Sequence, residues 1–227
     1  MSYILREVVL SYPNLFVPKI PPNARPGQKA RYSAMILIPQ SVDISDLQKV
    51  VYNLMKDRWG DKTDELLQAG MANQPNGLRW PFRKDNLKRD GTKRYDEATY
   101  KCFITPWSET QPGLVDCYVG TDGKPLKITQ PDQTKLYAGC VVNVSVNPFV
   151  YDNTGNRGVN FGLVNMQHWG DGERLDNRVA AEDQFQGRER PTSSITDDDA
   201  PFDGSAPVGG PAAGPGSKGS MLGNLIG

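Results

Sequence analysis

A single stretch with the helical period interrupts a chain whose other apolar runs repeat every two residues. Ile44, Leu47, Val50, Val51, Leu54 and Met55 fall on one face at about 3.6-residue spacing. Asp43 can cap the start, with Asp46 three residues on, and Gly60 can end the helix. A second, shorter helix fits Asp64 to Ala69. Strands are expected at Tyr3 to Leu10, Tyr32 to Ile38, Tyr100 to Thr105, Val115 to Val119, Tyr137 to Asn147 and Val159 to Trp169. The strand-helix alternation that builds a parallel doubly wound sheet is missing. The pattern favours a mainly β chain, a small antiparallel barrel carrying an inserted α-helix.

Turn chemistry divides these runs. Tyr12-Pro13-Asn14 reads as the turn after the first strand, and Asp152-Asn153-Thr154-Gly155-Asn156 joins the last two strands as a long hairpin. Pro18, Pro21, Pro22, Pro26 and Gly27 make a stiff loop carrying Lys19, Arg25, Lys29 and Arg31, placed to follow a phosphate backbone. From about Pro191 onward Gly, Pro, Ser and Ala displace core-forming residues. Such a segment cannot bury enough apolar surface to offset the entropy of ordering it. One compact domain over residues 1–190 and a disordered, acidic, Gly/Pro-rich tail over 191–227 are expected.

Charge follows the same division. The 227 residues hold 26 basic and 26 acidic side chains. The tail takes Asp197, Asp198, Asp199 and Asp203 against Lys218, a net of −3, which leaves the body at +3. A mildly basic body with an acidic arm suits a polyanion binder. No run of about 18 apolar residues could cross a membrane and no secretory leader is visible, so a cytoplasmic protein is expected. Cys102, Cys117 and Cys140 form no C-x-x-C pair, and their wide spacing from the one histidine, His168, is not that of a zinc site. No metal or other cofactor is expected.

Catalytic signatures are missing: no phosphate-binding glycine loop, zinc-protease helix or nucleophile elbow occurs. Carboxylates such as Asp116, Asp122, Asp171 and Glu173 leave open a metal-dependent phosphodiester enzyme. Binding is the stronger theme. Between Leu78 and Lys101, Arg79, Arg83, Lys84, Lys88, Arg89, Lys93 and Arg94 are set among Trp80, Phe82, Tyr95 and Tyr100. A single nucleic acid strand needs cations along its phosphates and flat side chains against its bases. The same aromatics also fit a packed core. In Val141 to Asn147, Val142, Val144 and Val146 take one face, while Asn143, Ser145 and Asn147 take the other, with Phe149 and Tyr151 beyond.

The stretch from Tyr137-Ala-Gly-Cys-Val-Val-Asn-Val-Ser-Val-Asn-Pro-Phe through Gly155, Gly158 and Gly162 to Gly172-Glu-Arg-Leu resembles the bacteriophage OB-fold single-stranded DNA-binding protein family. Val9-Leu-Ser-Tyr-Pro-Asn-Leu-Phe, Tyr32-Ser-Ala-Met-Ile-Leu-Ile-Pro, Trp80-Pro-Phe-Arg and Ala180-Ala-Glu-Asp-Gln-Phe match its other landmarks in order, from about Ser2 to Phe185. The resemblance implies an OB-fold, sequence-tolerant binding of single-stranded DNA and self-association, as a dimer or another homo-oligomer. It also implies a role in phage replication or recombination within an infected bacterial host, and no catalytic residue. Gly139, Gly155, Gly158 and Gly162 read as turns and barrel corners. The tail's Asp197-Asp198-Asp199-Ala-Pro201-Phe202 is similar to the acidic tip with which cellular single-stranded DNA-binding proteins recruit replication and repair partners. Here Phe202 is internal, followed by Asp203. A non-DNA-binding interaction scaffold is a further reading.

Overall fold

The computed structural model describes residues 2–21, 24, 27–87, 91–153 and 155–175. In chain order it contains β1 (Tyr3–Lys19), β2 (Arg31–Pro39), α1 (Ser45–Trp59), α2 (Thr63–Met71), β3 (Leu78–Arg79), β4 (Tyr100–Ile104), β5 (Trp107–Ser108), β6 (Gly113–Val119), β7 (Pro125–Lys127), β8 (Val141–Asn153) and β9 (Asn156–Gly170). Single 3-10 turns occupy Gly60–Lys62 and Gln130–Lys135. The expected acidic tail, with Asp197, Asp198, Asp199, Pro201 and Phe202, lies outside the described residues.

The sheet closes on itself. β1 pairs with β2 and β8, β8 with β9, and the two-residue β5 pairs with both β9 and β2, which completes the ring. Closure removes the exposed edges that would otherwise template aggregation. The barrel is mixed rather than purely antiparallel, because β3, β5 and β6 all run parallel to β9. β4 and β5 act as halves of one strand interrupted at Thr105-Pro106. β4 pairs with Ile36 to Pro39 and β5 with Tyr32 and Ser33. Pro106 has no N–H for the ladder, yet its carbonyl still accepts from Ala34 N at 3.2 Å.

β1 runs well past the expected turn at Tyr12-Pro13-Asn14. The turn signal marks a bulge instead: register slips between Ser11 and Asn14, and Tyr12 takes a φ of 45°. A second slip lies between Leu5 and Val8, where Glu7 has a φ of 52°. Glu7 N donates to Asn143 Oδ1 at 2.9 Å, so the amide freed by that bulge is satisfied. Asn143, expected on a DNA-facing surface, is therefore buried and structural; its Nδ2 also donates to Gln167 Oε1 at 3.0 Å.

The core combines both periods. Leu47, Val51 and Met55 of α1 pack with Val8, Ile36, Val142, Val144 and Phe161. α1 begins one residue after Ile44, with Ser45 N donating to Asp43 Oδ1 at 2.9 Å, and ends at Gly60, whose φ of 59° suits a residue without a side chain. A smaller cluster on the other side of β2 joins Met35 and Leu37 to Phe103 and Tyr95. Asn86 holds the segment bearing Tyr95 by accepting from Tyr95 N at 2.9 Å and donating to its carbonyl at 2.7 Å.

Asp116, one of the carboxylates that left a phosphodiester enzyme open, is taken up by structure. It lies in β6, 1% exposed. Burial alone would raise its pKa, but hydrogen bonds from Lys135, Cys117 and His168 outweigh this and hold it at about 2. Lys135 Nζ is 2.6 Å from Oδ2, and His168 Nδ1 is 3.4 Å from Oδ1. The carboxylate thus ties β6 to β9 and to the Gln130–Lys135 turn.

Asp116→Asn should lower unfolding free energy by about 1–3 kcal/mol near neutral pH, since its partners lose a charged acceptor. The unfolded carboxyl titrates near ~3.9, above the folded value, so Asp116 stabilises the fold fully above ~4. Its contribution fades as pH falls towards 2. Urea melts of both proteins between pH 7 and pH 2 should therefore show the gap narrowing only at the acid end.

Candidate nucleic-acid interface

A cleft of about 1230 Å³ opens beside the barrel where β3, the segment following it and the β8–β9 hairpin meet. Arg79, Trp80, Arg83, Lys84, Tyr151 and Asn160 line it. β3 delivers Arg79. It pairs in parallel with Arg157 and Gly158 of β9, and the approach is close enough that a Cβ on Gly158 would collide with the Arg79 carbonyl. Gly158 also has a φ of 156°, which L side chains avoid. Arg157 reinforces the junction by donating from Nε and Nη2 to the Asn76 carbonyl, at 2.9 and 2.6 Å.

The cations stay accessible. The Arg79 guanidinium is exposed and reaches Asn73 Oδ1 at 3.4 Å. Arg83 lies 5.2 Å over the Phe103 ring and pairs with the neighbouring Asp85. Its amide and carbonyl exchange hydrogen bonds with Phe103, which fixes the segment against β4. Lys84 is exposed, while Lys101 is half-buried at the cleft wall, with Nζ donating to the Val42 carbonyl at 2.7 Å. Burial pushes the Tyr151 phenol pKa up, and the positive charges of Arg79 and Arg83 pull against that shift. Tyr151 thus sits within the field of both arginines.

The aromatics expected from sequence divide into two groups. Trp80 and Tyr151 are half-buried at the cleft. Phe82 is 5% exposed, with its ring 5.6 Å from Trp80 and 5.5 Å from Phe161. Phe82 is thus a core residue supporting Trp80, because its ring points inward to β9. Tyr95 is likewise buried, edge-on to Phe103 and Tyr100. Neither offers a free face to a base. Arg94 is half-buried, and it does not line the cleft. Ser145 lies farther along β8, opposite Ile4 and Asn165. Lys88 and Arg89 fall outside the described residues.

Cross-strand register carries the outer face beyond the cleft. Phe149 stands opposite Asn160, and Tyr151 opposite Gly158. Asn147 stands opposite Gly162, which pairs on its other side with Trp107. Trp107 meets Phe149 edge-to-face at 5.7 Å, and the Arg31 guanidinium lies 4.7 Å above the indole. Burial lowers the Arg31 pKa. Sequence reasoning left Trp107 and Asn160 out, and it placed Arg31 only in a loop. The available signal was Pro106-Trp107, an aromatic directly after a strand break.

Metal-ligand chemistry is grouped elsewhere. Ligand atoms of Asp116, Cys117 and His168 lie within 4.8 Å of one another, although Lys135 already takes an oxygen of the carboxylate. Cys102 and Cys140 are buried apart from this group, their thiols pushed by desolvation to about 11 and about 12.

Residues 1–200 match a family model described as the ssDNA-binding protein of Enterobacter phage Enc34, and the chain belongs to that family. It is 28% identical over 194 residues to protein p50 of Acyrthosiphon pisum secondary endosymbiont phage 1, covering 82% of this chain and 92% of the relative. Two solved structures of the single-stranded DNA-binding protein from bacteriophage Enc34 are 20% identical and cover 77% of this chain. The complex with ssDNA has a TM-score of 0.50 and is covered over 89% of its length; the C-terminal truncation has 0.51 and 88%. The fold is the OB-fold that the sequence resemblance implied.

Phe82→Ala should lower stability by about 3–5 kcal/mol, the usual cost of emptying a buried phenyl site. Tyr151→Ala should cost less than about 1 kcal/mol, since its ring is only half-buried. Denaturant unfolding of the two variants gives both values directly.

Proposed function

We propose that this chain binds single-stranded DNA without sequence preference, covers and protects it, and performs no chemistry on it. The observation that carries this reading is the cleft itself. Arg79, Arg83 and Lys84 surround Trp80 and Tyr151 in one concavity, within a member of a family described as ssDNA-binding. Cations drawn to phosphates release condensed counterions, which gives affinity without reading sequence. Aromatic faces stack on any base, and each stacked base contributes about 1–3 kcal/mol. The role follows from the family: protection of single strands during phage replication or recombination, inside an infected bacterial cell. Self-association and recruitment of replication or recombination proteins through the acidic segment around Asp197–Phe202 complete the proposal. The same acidic segment acts as a DNA mimic, competing with DNA phosphates for the basic groove.

Oligothymidylate should quench tryptophan fluorescence, with affinity falling steeply as salt rises. Each phosphate contact contributes ~0.7 to the logarithmic salt slope on single strands. Arg79→Ala, Arg83→Ala and Lys84→Ala combined should flatten that slope by about 2. Absence of binding at low salt overturns the reading. Cleavage of labelled strands with Mg2+ or Mn2+ would instead favour the phosphodiester enzyme.

Truncation after Arg190 should tighten binding at low salt, and the gain should shrink as salt screens the arm. Equal affinities of the full and truncated chains in a titration at low salt would remove the competition.

A further inference from the structure

We propose that Arg31, Trp107 and Phe149 form a second base-stacking subsite, separate from the cleft and continuous with it across the outer face of β8 and β9. The inference rests on the single-strand reading above and adds the path and reach of the bound strand.

Directly opposed residues and residues two apart share one face of a sheet. Tyr151, Phe149 and Asn147 therefore project together, alongside Gly158, Asn160 and Gly162 of β9. Inward-facing Val159, Phe161 and Leu163 are buried, which fixes the other residues as the outer face. Tyr151 and Asn160 also line the cleft, so the cleft opens directly onto this row. At its far end stands Trp107, brought there by its pairing with Gly162. Gly158 and Gly162 raise no side chain of their own, and Asn160 between them adds a single half-buried polar side chain to the row.

The composition of the cluster suits a base. Phe149 and Trp107 are nearly perpendicular, with 87° between their planes and 5.7 Å between their centroids, so the two rings are not stacked face to face. The Arg31 guanidinium lies 4.7 Å from the indole centroid, half-buried against it. A guanidinium stacked on an indole occupies the position a nucleobase takes on an aromatic platform, and Arg itself stacks on bases. A base entering here gains two flat surfaces, while the cation stays near the phosphate that follows. A purely structural ring would be expected deep in the barrel. These rings instead lie on the wall, each only half-buried.

The row also sets a length. From Gly158, beside Arg79, to Gly162, beside Trp107, β9 advances four residues, or about 13 Å at about 3.3 Å each. At ~3.4 Å per stacked nucleotide the whole row spans about four nucleotides, and the half from Asn160 to Gly162 lies beyond the cleft.

Oligothymidylates from about four to about sixteen nucleotides, titrated against the full chain, test the subsite. Affinity should rise in two steps, the second when the strand outgrows the cleft. In Phe149→Ala and Arg31→Ala the first step should persist and the second should shrink by about tenfold or more in affinity. Trp107→Phe, which keeps a flat ring, should retain most of the second step. Thermal melts establish that each variant folds. A second step of undiminished size in folded Phe149→Ala and Arg31→Ala overturns the subsite while leaving the cleft reading intact. Failure of the unaltered chain to bind any length overturns both.

Discussion

Everything in this barrel depends on the requirement that both edges of β9 find partners. Its backbone N–H and C=O groups cannot be left dry and unpaired inside a closed wall. One edge is satisfied along its length by β8, in an antiparallel hairpin from Val141–Gly170 to Asn153–Asn156. The other edge is shared, in order, by β3 at Arg157 and Gly158, β5 at Gly162, and β6 from Asn165 to Gln167. These short parallel segments come from distant parts of the chain. Each brings something different: Arg79 from β3, Trp107 from β5, Asp116 from β6. The proposed binding surface is thus a by-product of how β9 is hydrogen-bonded.

Long elements were legible in the sequence because their periods were. The long helix, the apolar run from Tyr32 to Ile38 and the turn of the final hairpin appear where their side-chain patterns put them, while β8 runs from Val141 to Asn153 rather than from Tyr137 to Asn147. β3 and β5, two residues each, have no period at all and exist only through pairing, β3 with β9 and β5 with both β9 and β2. That is why Trp107 escaped notice. Asn143 illustrates the converse error: alternation marked it as outward, whereas the bulge at Glu7 demanded a buried acceptor exactly opposite. Phe82 and Tyr95 were legible as aromatic but not as inward, since composition alone cannot separate a platform from the core beneath it.

The cleft separates stability from binding along one short peptide. In Trp80-Pro81-Phe82-Arg83, neighbouring residues differ sharply in exposure. Pro81 and Phe82 are buried, Arg83 is exposed, and Trp80 straddles the boundary. Phe82 anchors the peptide to Phe161, and the backbone exchange between Arg83 and Phe103 fixes its edge. The cations are therefore presented on a braced support rather than on a free loop. A braced support loses less entropy when a ligand arrives.

β5 is the shortest ladder in the ring, and the barrel is closed only where Tyr32, Ser33 and Gly162 meet its two residues. Local opening of a fold begins where the fewest hydrogen bonds must break, so this seam is expected to open before the rest of the wall. Amide hydrogens at the seam are then the first in the ring to exchange with solvent. Trp107 lies on the seam itself, so anything stacked against it acts as a latch on the barrel.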